Sequence, residues 1–252
     1  MKQPDSFFAE HGWIILKGVL NPNEVGDLRE AYDEVIGPHL DQMSETDVVQ
    51  LPQPHARHPA FSKTLQHAGL WSAVRETLRW DEVQLLQDVL LHRTGPSSGR
   101  VEWHRDHTYT AFLNPPILAS VRVSLTHSRE TSGCLQVIDK SHLLKLSLSP
   151  DVFGSSIERG LMVSLSESGE EDIPSQIRTI ELEPGDVSIH HSKTLHGSFE
   201  NRTDEPQKIM VHHVLDARCK LDPVKLPNAE ARAHFPTTST GHLAPQNFPI
   251  LG

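Results

Sequence analysis

The sequence predicts a mainly β fold, a sandwich or barrel with helices packed outside it. Three observations carry this expectation. The N-terminal third has helical spacing, the chain from Val83 onward has short runs of strand-like apolar residues, and turn clusters separate those runs. The 252 residues are ample for one sizeable core. We expect one domain over residues 1–252, with a helical buttress at about 20–80, a barrel core at about 83–215 and an irregular tail at 216–252.

Phe7 to Leu20 opens with a short amphipathic piece, and Gly12-Trp13-Ile14-Ile15-Leu16 reads as a strand. Asn21-Pro22-Asn23-Glu24 is a helix start: Asn21 caps, Pro22 suits the first helical position, and Glu24 lies three residues after the cap. Val25, Leu28, Tyr32, Val35 and Ile36 follow helical spacing until Gly37-Pro38 stops it. Residues 41 to 60 are polar and proline-rich and read as a loop over the site. Leu65, Leu70, Val74 and Leu78 form a second helical stripe.

Strands follow at Val83 to Leu91 and Val101 to His107, joined by the turn cluster Thr94 to Gly99. In Ser120-Val121-Arg122-Val123-Ser124-Leu125 the valines and Leu125 share one face, and Ser120, Arg122 and Ser124 the other. Further strands read at Ser132 to Ile138, Ile177 to Leu182, Val187 to His191 and Gln207 to Leu215. Residues 166 to 172 read as a solvated acidic loop, and Asp216 to Gly252 as a tail over the surface.

The formal net charge of -10, without a basic block, speaks against a nucleic-acid partner, whose affinity rests on neutralising phosphates. Cys134 and Cys219 make no disulfide framework and no paired-cysteine zinc motif, and they fit a reducing compartment. Met1 to Ser6 lacks an apolar signal segment, and runs such as Trp13 to Leu16 are too short to span a bilayer. We expect a soluble, cytoplasmic protein that uses no membrane partner.

The chain is organised around Trp103-His104-Arg105-Asp106-His107. On an extended segment His104 and Asp106 point to one face, so an imidazole and a carboxylate converge. One more histidine would complete a facial set that leaves three octahedral positions open, as non-haem Fe(II) needs. The 17 histidines raise the expectation of metal chemistry.

Four motifs then occur in order: Trp103-His104-x-Asp106-His107; Thr131-Ser132-Gly133-Cys134-Leu135-x-Val137-Ile138-x-x-Ser141-His142; Pro184-Gly185-Asp186-Val187; and Leu195-His196-Gly197-Ser198-x-x-Asn201. Over Phe7 to Leu215 the chain resembles the phytanoyl-CoA hydroxylase-like family of Fe(II)- and 2-oxoglutarate-dependent dioxygenases. The resemblance implies a double-stranded β-helix, or jelly-roll, barrel with N-terminal helices outside. It implies iron ligands His104, Asp106 and His196, with His190 and His191 as competitors for the third place. His191 reads as a barrel-lining or supporting residue, and His212 and His213 as structural or surface residues.

The chain departs from the family's pattern at the cosubstrate. Where the family usually has an arginine for the distal carboxylate of 2-oxoglutarate, the last strand has Gln207, which brings no charge. Arg122, on the polar face of a neighbouring strand, is the expected replacement, with Lys208 pointing away. Ser198 resembles the family's hydroxyl contact to the same carboxylate, and Arg93 stands where the family often has a basic residue. Tyr109, His107 and Thr108 are candidate walls of the substrate pocket.

The implied chemistry consumes O2 and 2-oxoglutarate, releases succinate and CO2, and oxidises a C–H bond of a small metabolite or natural-product intermediate. Hydroxylation is favoured because Asp106 is present where related halogenases have a small residue. Two alternatives stay open: a jelly-roll metal enzyme without 2-oxoglutarate, such as a cupin-like oxygenase or isomerase, and a non-catalytic ligand-binding barrel.

Overall fold

The computed structural model of the protein describes residues 3–40, 48–96, 99–110, 112–144, 176–226 and 233–252, with the backbone alone at 108 and 109. The acidic stretch 166–172 and the segment 41–47 lie outside the described residues. The helices are α1 (Pro4–His11), α2 (Pro22–Leu40), α3 (Pro54–Arg57), α4 (Pro59–Thr64) and α5 (Ala68–Leu78). The strands are β1 (Trp13–Leu16), β2 (Val48–Pro52), β3 (Val83–Arg93), β4 (Val101–His104), β5 (Leu113–Asn114) and β6 (Leu118–Ser124). They continue with β7 (Leu135–Ile138), β8 (Ile177–Ile180), β9 (Val187–His191), β10 (His196–Ser198), β11 (Gln207–Asp216) and β12 (Lys220–Leu221).

A six-stranded sheet runs β1-β9-β6-β11-β3-β2, and a four-stranded sheet runs β4-β10-β7-β8. Their pairings are antiparallel. Together they enclose the hollow interior of a jelly roll. The outer face of the larger sheet is apolar, and Val121, Val123, Ile189 and Met210 share one buried cluster with Leu28, Tyr32, Trp71 and Val74 of α2 and α5. Burying each such side chain is worth about 1.5–3 kcal/mol, so the helices gain their stability by covering the sheet.

The expected cap of α2 is present: Asn21 Oδ1 accepts from the backbone N–H groups of Asn23 and Glu24, and Glu24 returns a carboxylate to Asn21 N–H at 2.7 Å. Gly37-Pro38 does not stop the helix, which runs to Leu40. Pro38 forfeits one backbone bond near the end of a helix already fixed by buried Val25, Leu28 and Ile36.

The polar segment up to residue 60 is not a plain loop. It contains β2, with Val49 and Leu51 buried, followed by α3 and α4. Its prolines fit these elements: β2 is an edge strand, and Pro54 and Pro59 open helices. The tail also departs from the expectation. Leu221, Leu226, Leu243 and Phe248 pack with Leu118 and Leu215 in a second buried cluster. Leu85 N–H donates to Pro249 O at 2.9 Å, and Gln84 Nε2 donates to Phe248 O at 2.8 Å. These contacts are long-range and leave no periodic trace in the sequence. Among the described residues no helix is long and apolar enough to cross a membrane.

The turn before β9 is fixed by Gly185 and Asp186. Gly185 has φ +89°, and a Cβ there would meet Leu20 O at 2.4 Å. The Asp186 carboxylate accepts from Gly18 N–H, Glu183 N–H and Lys17 Nζ, each at 2.8 Å. Burial raises its pKa, but the Lys17 and amide bonds outweigh that and hold it below the usual range. Asp186→Ala should cost about 2–4 kcal/mol through the lost charged hydrogen bonds. A carboxylate whose folded pKa is depressed stabilises above its unfolded value near 4 and loses that contribution as the pH falls further. Thermal melts from pH 6 to pH 3 should therefore show a fall in Tm that is smaller in Asp186→Asn; parallel curves would contradict this.

Candidate active site

The β4 strand ends at His104, and Asp106 opens a 3-10 turn over Asp106–Tyr109. The two side chains converge as expected, although the strand does not carry both. Across the smaller sheet His104 pairs with His196 of β10. His104 Nε2 lies 3.6 Å, and His196 Nε2 3.5 Å, from Asp106 Oδ1. Ligand atoms of the three residues all fall within 4.8 Å of one another, an arrangement able to hold a metal ion.

The close pairing depends on Gly197. A Cβ there would meet Val101 O at 2.9 Å and crowd Trp103, so any other residue would push β10 from β4. Arg105 Nη2 and Leu195 N–H both bond Ser141, whose hydroxyl donates to Ile138 O at 2.6 Å. The Ser141 turn thus fixes the chain just before His196.

The donor set fits a divalent cation. His104 Nδ1 lies 2.8 Å from Glu102 O, and His196 Nδ1 lies 2.9 Å from Thr194 O. A nitrogen facing a carbonyl oxygen must carry the proton, which leaves each Nε2 lone pair for a metal. Ser120 Oγ donates to Asp106 Oδ2 at 2.6 Å and lies 2.9 Å from His213 Nδ1. With Oδ2 held, Oδ1 is the oxygen offered beside the two imidazoles.

Burial opposes the Asp106 charge, but His196, His104 and His190 together hold its pKa well below the usual range. Burial drives His196 well down, with the charges of His104 and His190 adding to it. For His104 burial acts downward, yet the contact with Asp106 leaves its pKa raised.

His190, not His191, supports the set. It pairs with Ser120 across β9 and β6, and its Nε2 stands 3.3 Å from Asp106 Oδ2 without an aligned hydrogen bond. His191 turns to the opposite face, near Phe8 and His142. The same alternation separates His213, which lines the cavity, from His212, which packs edge-on against Trp71. His213 lies against Ser120, its cross-strand partner, a contact invisible without register.

These groups line a cavity of about 770 Å³. Arg122 lines it too. Among the described residues its guanidinium has neither a hydrogen bond nor a carboxylate within ion-pair distance. Burial, with the charge of Arg93 adding, lowers its pKa to about 10, so it stays charged at neutral pH.

Arg93 and Gln207, directly paired across β3 and β11, stand behind this wall rather than in it. Arg93 donates to Gln207 Oε1 and to Ser198 Oγ, and Gln207 Nε2 donates to Ser128 Oγ at 3.0 Å. Gln207 is thereby occupied with protein partners. Ser198 Oγ also accepts from Val101 N–H at 3.2 Å, so its own proton is left to donate into the cavity. Lys208 points outward to Asp33, as alternation requires.

His107 lies outside the cavity lining, with its backbone N–H on Ser192 O. Thr108 and Tyr109 sit on the 3-10 turn, and their side chains lie outside the described residues. The cavity walls that the sequence did not indicate come from β2, α3 and the tail: Gln50, His55, Phe235 and Phe248.

A family model described as phytanoyl-CoA dioxygenase (PhyH) matches residues 8–209. Phytanoyl-CoA dioxygenase 1 of Oryza sativa subsp. japonica is 26% identical over 167 residues. That match takes in 64% of this chain and 56% of the rice protein, so the chain spans just over half of that relative's length. Among solved structures, the non-haem alpha-ketoglutarate-dependent carbocyclase SnoK from nogalamycin biosynthesis superimposes with TM-score 0.76 at 20% identity, covering 100% of this chain and 96% of SnoK. The epimerase SnoN in complex with Fe3+, alpha-ketoglutarate and nogalamycin RO superimposes with TM-score 0.71 at 19% identity, covering 98% and 97%. At such identities these structures establish the jelly-roll fold.

Removing the hydroxyl that holds Asp106 should weaken the metal set without emptying it. Ser120→Ala is expected to lower Fe(II) affinity by about 10–100-fold, read by competition with a chelating dye. Unchanged affinity would remove Ser120 from this role.

Proposed function

The chain belongs to the phytanoyl-CoA dioxygenase family, and on that footing we propose that it is a non-haem Fe(II)- and 2-oxoglutarate-dependent dioxygenase. It oxidises, most simply by hydroxylation, a C–H bond of a small molecule. His104, Asp106 and His196 hold the iron, and Arg122 receives the distal carboxylate of 2-oxoglutarate while Ser198 donates its hydroxyl proton to the same group. Bound there, iron and 2-oxoglutarate supply the oxidation: one oxygen atom of O2 enters the substrate and the other enters the 2-oxo acid, which leaves as succinate and CO2.

The observation that carries this reading is Arg122, a buried cation in the same cavity as the His-Asp-His set and without an anionic partner among the described residues. An unpaired charge in a low-dielectric interior is destabilising by several kcal/mol and persists where a ligand neutralises it. The register supports its placement. Arg122 lies two residues beyond Ser120 on β6, about 7 Å deeper along the strand. A dicarboxylate reaching from the metal to Arg122 lies along that strand. A metal enzyme without 2-oxoglutarate, or a barrel that only binds, leaves this charge unexplained.

The protein's own groups do the positioning. Ser120 holds Asp106 by its outer oxygen with His190 beside it, the Glu102 and Thr194 carbonyls keep both imidazoles in the ligating tautomer, and Arg93 with Gln207 fixes the Ser198 hydroxyl.

The test is an anaerobic titration of the Fe(II)-loaded protein with 2-oxoglutarate. A weak visible charge-transfer band is expected, and Arg122→Met should require at least about 30-fold more 2-oxoglutarate to reach it. The same substitution should raise the Tm of the ligand-free protein by a few degrees, because it removes a buried unpaired charge. Iron bound without any band would overturn the reading.

A further inference from the structure

The outer half of the cavity has a chemistry that the iron and cosubstrate do not use. Phe112, Phe235 and Phe248 form one aromatic wall: Phe112 and Phe235 have centroids 5.1 Å apart, and Phe235 stacks on Phe248 at 5.8 Å with the rings 18° from parallel. All three line the cavity, and Phe112 and Phe235 are only half-buried. Phe248 is locked from behind by the bond of its carbonyl to Gln84, so the wall is a fixed surface.

Around the cavity stands His55, at the start of α3. Asp88 grips it twice, accepting from the ring at Nδ1 (2.6 Å) and from the backbone N–H (3.1 Å). The carboxylate is 1% exposed and is spent on this one histidine. The contact with Asp88 favours the charged imidazole more than partial burial disfavours it. Among the described residues Nε2 has no hydrogen-bond partner, so its N–H is available to the cavity.

The two features share one anchor. Leu85 is tied to the tail that carries Phe248 and Asp88 holds His55, so one strand, β3, anchors both. The phenylalanines and His55 line the same cavity, so a flat ring system laid on the wall can present a substituent to His55.

We propose that this outer cavity takes a substrate with a flat aromatic ring body bearing an acidic oxygen group, the rings lying on Phe112, Phe235 and Phe248 and the oxyanion on His55 Nε2. The proposal rests on the dioxygenase reading and names its substrate class. Arg122 is reserved for the cosubstrate's carboxylate at the deep end, which leaves His55 to read the substrate's own charge. Aromatic stacking and a charged hydrogen bond act on different parts of one molecule, so they are separable by probe.

The experiment uses the Fe(II)-loaded protein with saturating 2-oxoglutarate and no oxygen, titrated with 2-naphthoate and followed by the probe's fluorescence anisotropy. One naphthoate should bind per chain, at least about tenfold tighter than cyclohexanecarboxylate, which has the charge but no flat ring. Phe235→Ala should weaken naphthoate about tenfold. His55→Gln should weaken it about tenfold through the lost charged hydrogen bond while leaving 2-naphthylmethanol unchanged. Naphthoate binding no better than cyclohexanecarboxylate, or binding that neither substitution weakens, overturns the proposal. The charge-transfer band, recorded in the same samples, keeps the two readings apart. A missing band condemns the dioxygenase reading, whereas a normal band with indifferent naphthoate condemns only this one.

Discussion

Arg122 carries a positive charge into the barrel, and the interior is arranged around that charge. Its strand neighbours on the outer face, Val121 and Val123, are fully buried against the helices, so the backbone cannot rotate to release the guanidinium to solvent. Arg93, a like charge that adds to the lowering of the Arg122 pKa, is turned aside to Gln207 and Ser198. The charge of Asp106 acts on it, yet that carboxylate is committed to Ser120 and to the imidazoles. The result is an electrostatically incomplete cavity, cationic at depth and ready to coordinate a cation one layer above.

Gln207 makes sense within that arrangement. A second free guanidinium on β11 would place two like charges against one carboxylate. An amide there accepts from Arg93 and donates to Ser128, which satisfies a buried polar row without adding charge. On the proposed reading the cationic function sits on β6, beside β11, and the Gln207 amide serves as a spacer.

Much of this was legible in the sequence because it is local. Strand alternation placed Arg122 inward and Lys208 outward, the Asn21 to Glu24 pattern set the start of α2, and His104-x-Asp106 pointed to two of three residues able to hold a metal, while His196 came from the family resemblance. Contacts set by register or long-range packing were not legible. His190 and His191 are adjacent and chemically identical, and only the pairing of β9 with β6 decides which one meets Asp106. The Ser120–His213 contact joins residues 93 positions apart. Pro52, Pro54 and Pro59 suggested a loop because proline usually breaks elements, whereas here it sits at an edge strand and at two helix starts. The phenylalanine wall escaped notice because its members come from the loop before β5 and from an aperiodic tail, with no repeat to expose them.

The most direct test of the central claim compares two 2-oxo acids with the same chelating end. Calorimetric titration of the anaerobic Fe(II)-loaded protein with 2-oxoglutarate and with 2-oxopentanoate isolates the distal carboxylate. If Arg122 is the unpaired charge that carboxylate completes, 2-oxoglutarate binds about 100-fold more tightly, and Arg122→Met reduces that ratio to near unity. Equal affinities in the unaltered protein, or a ratio that survives the substitution, would contradict the account.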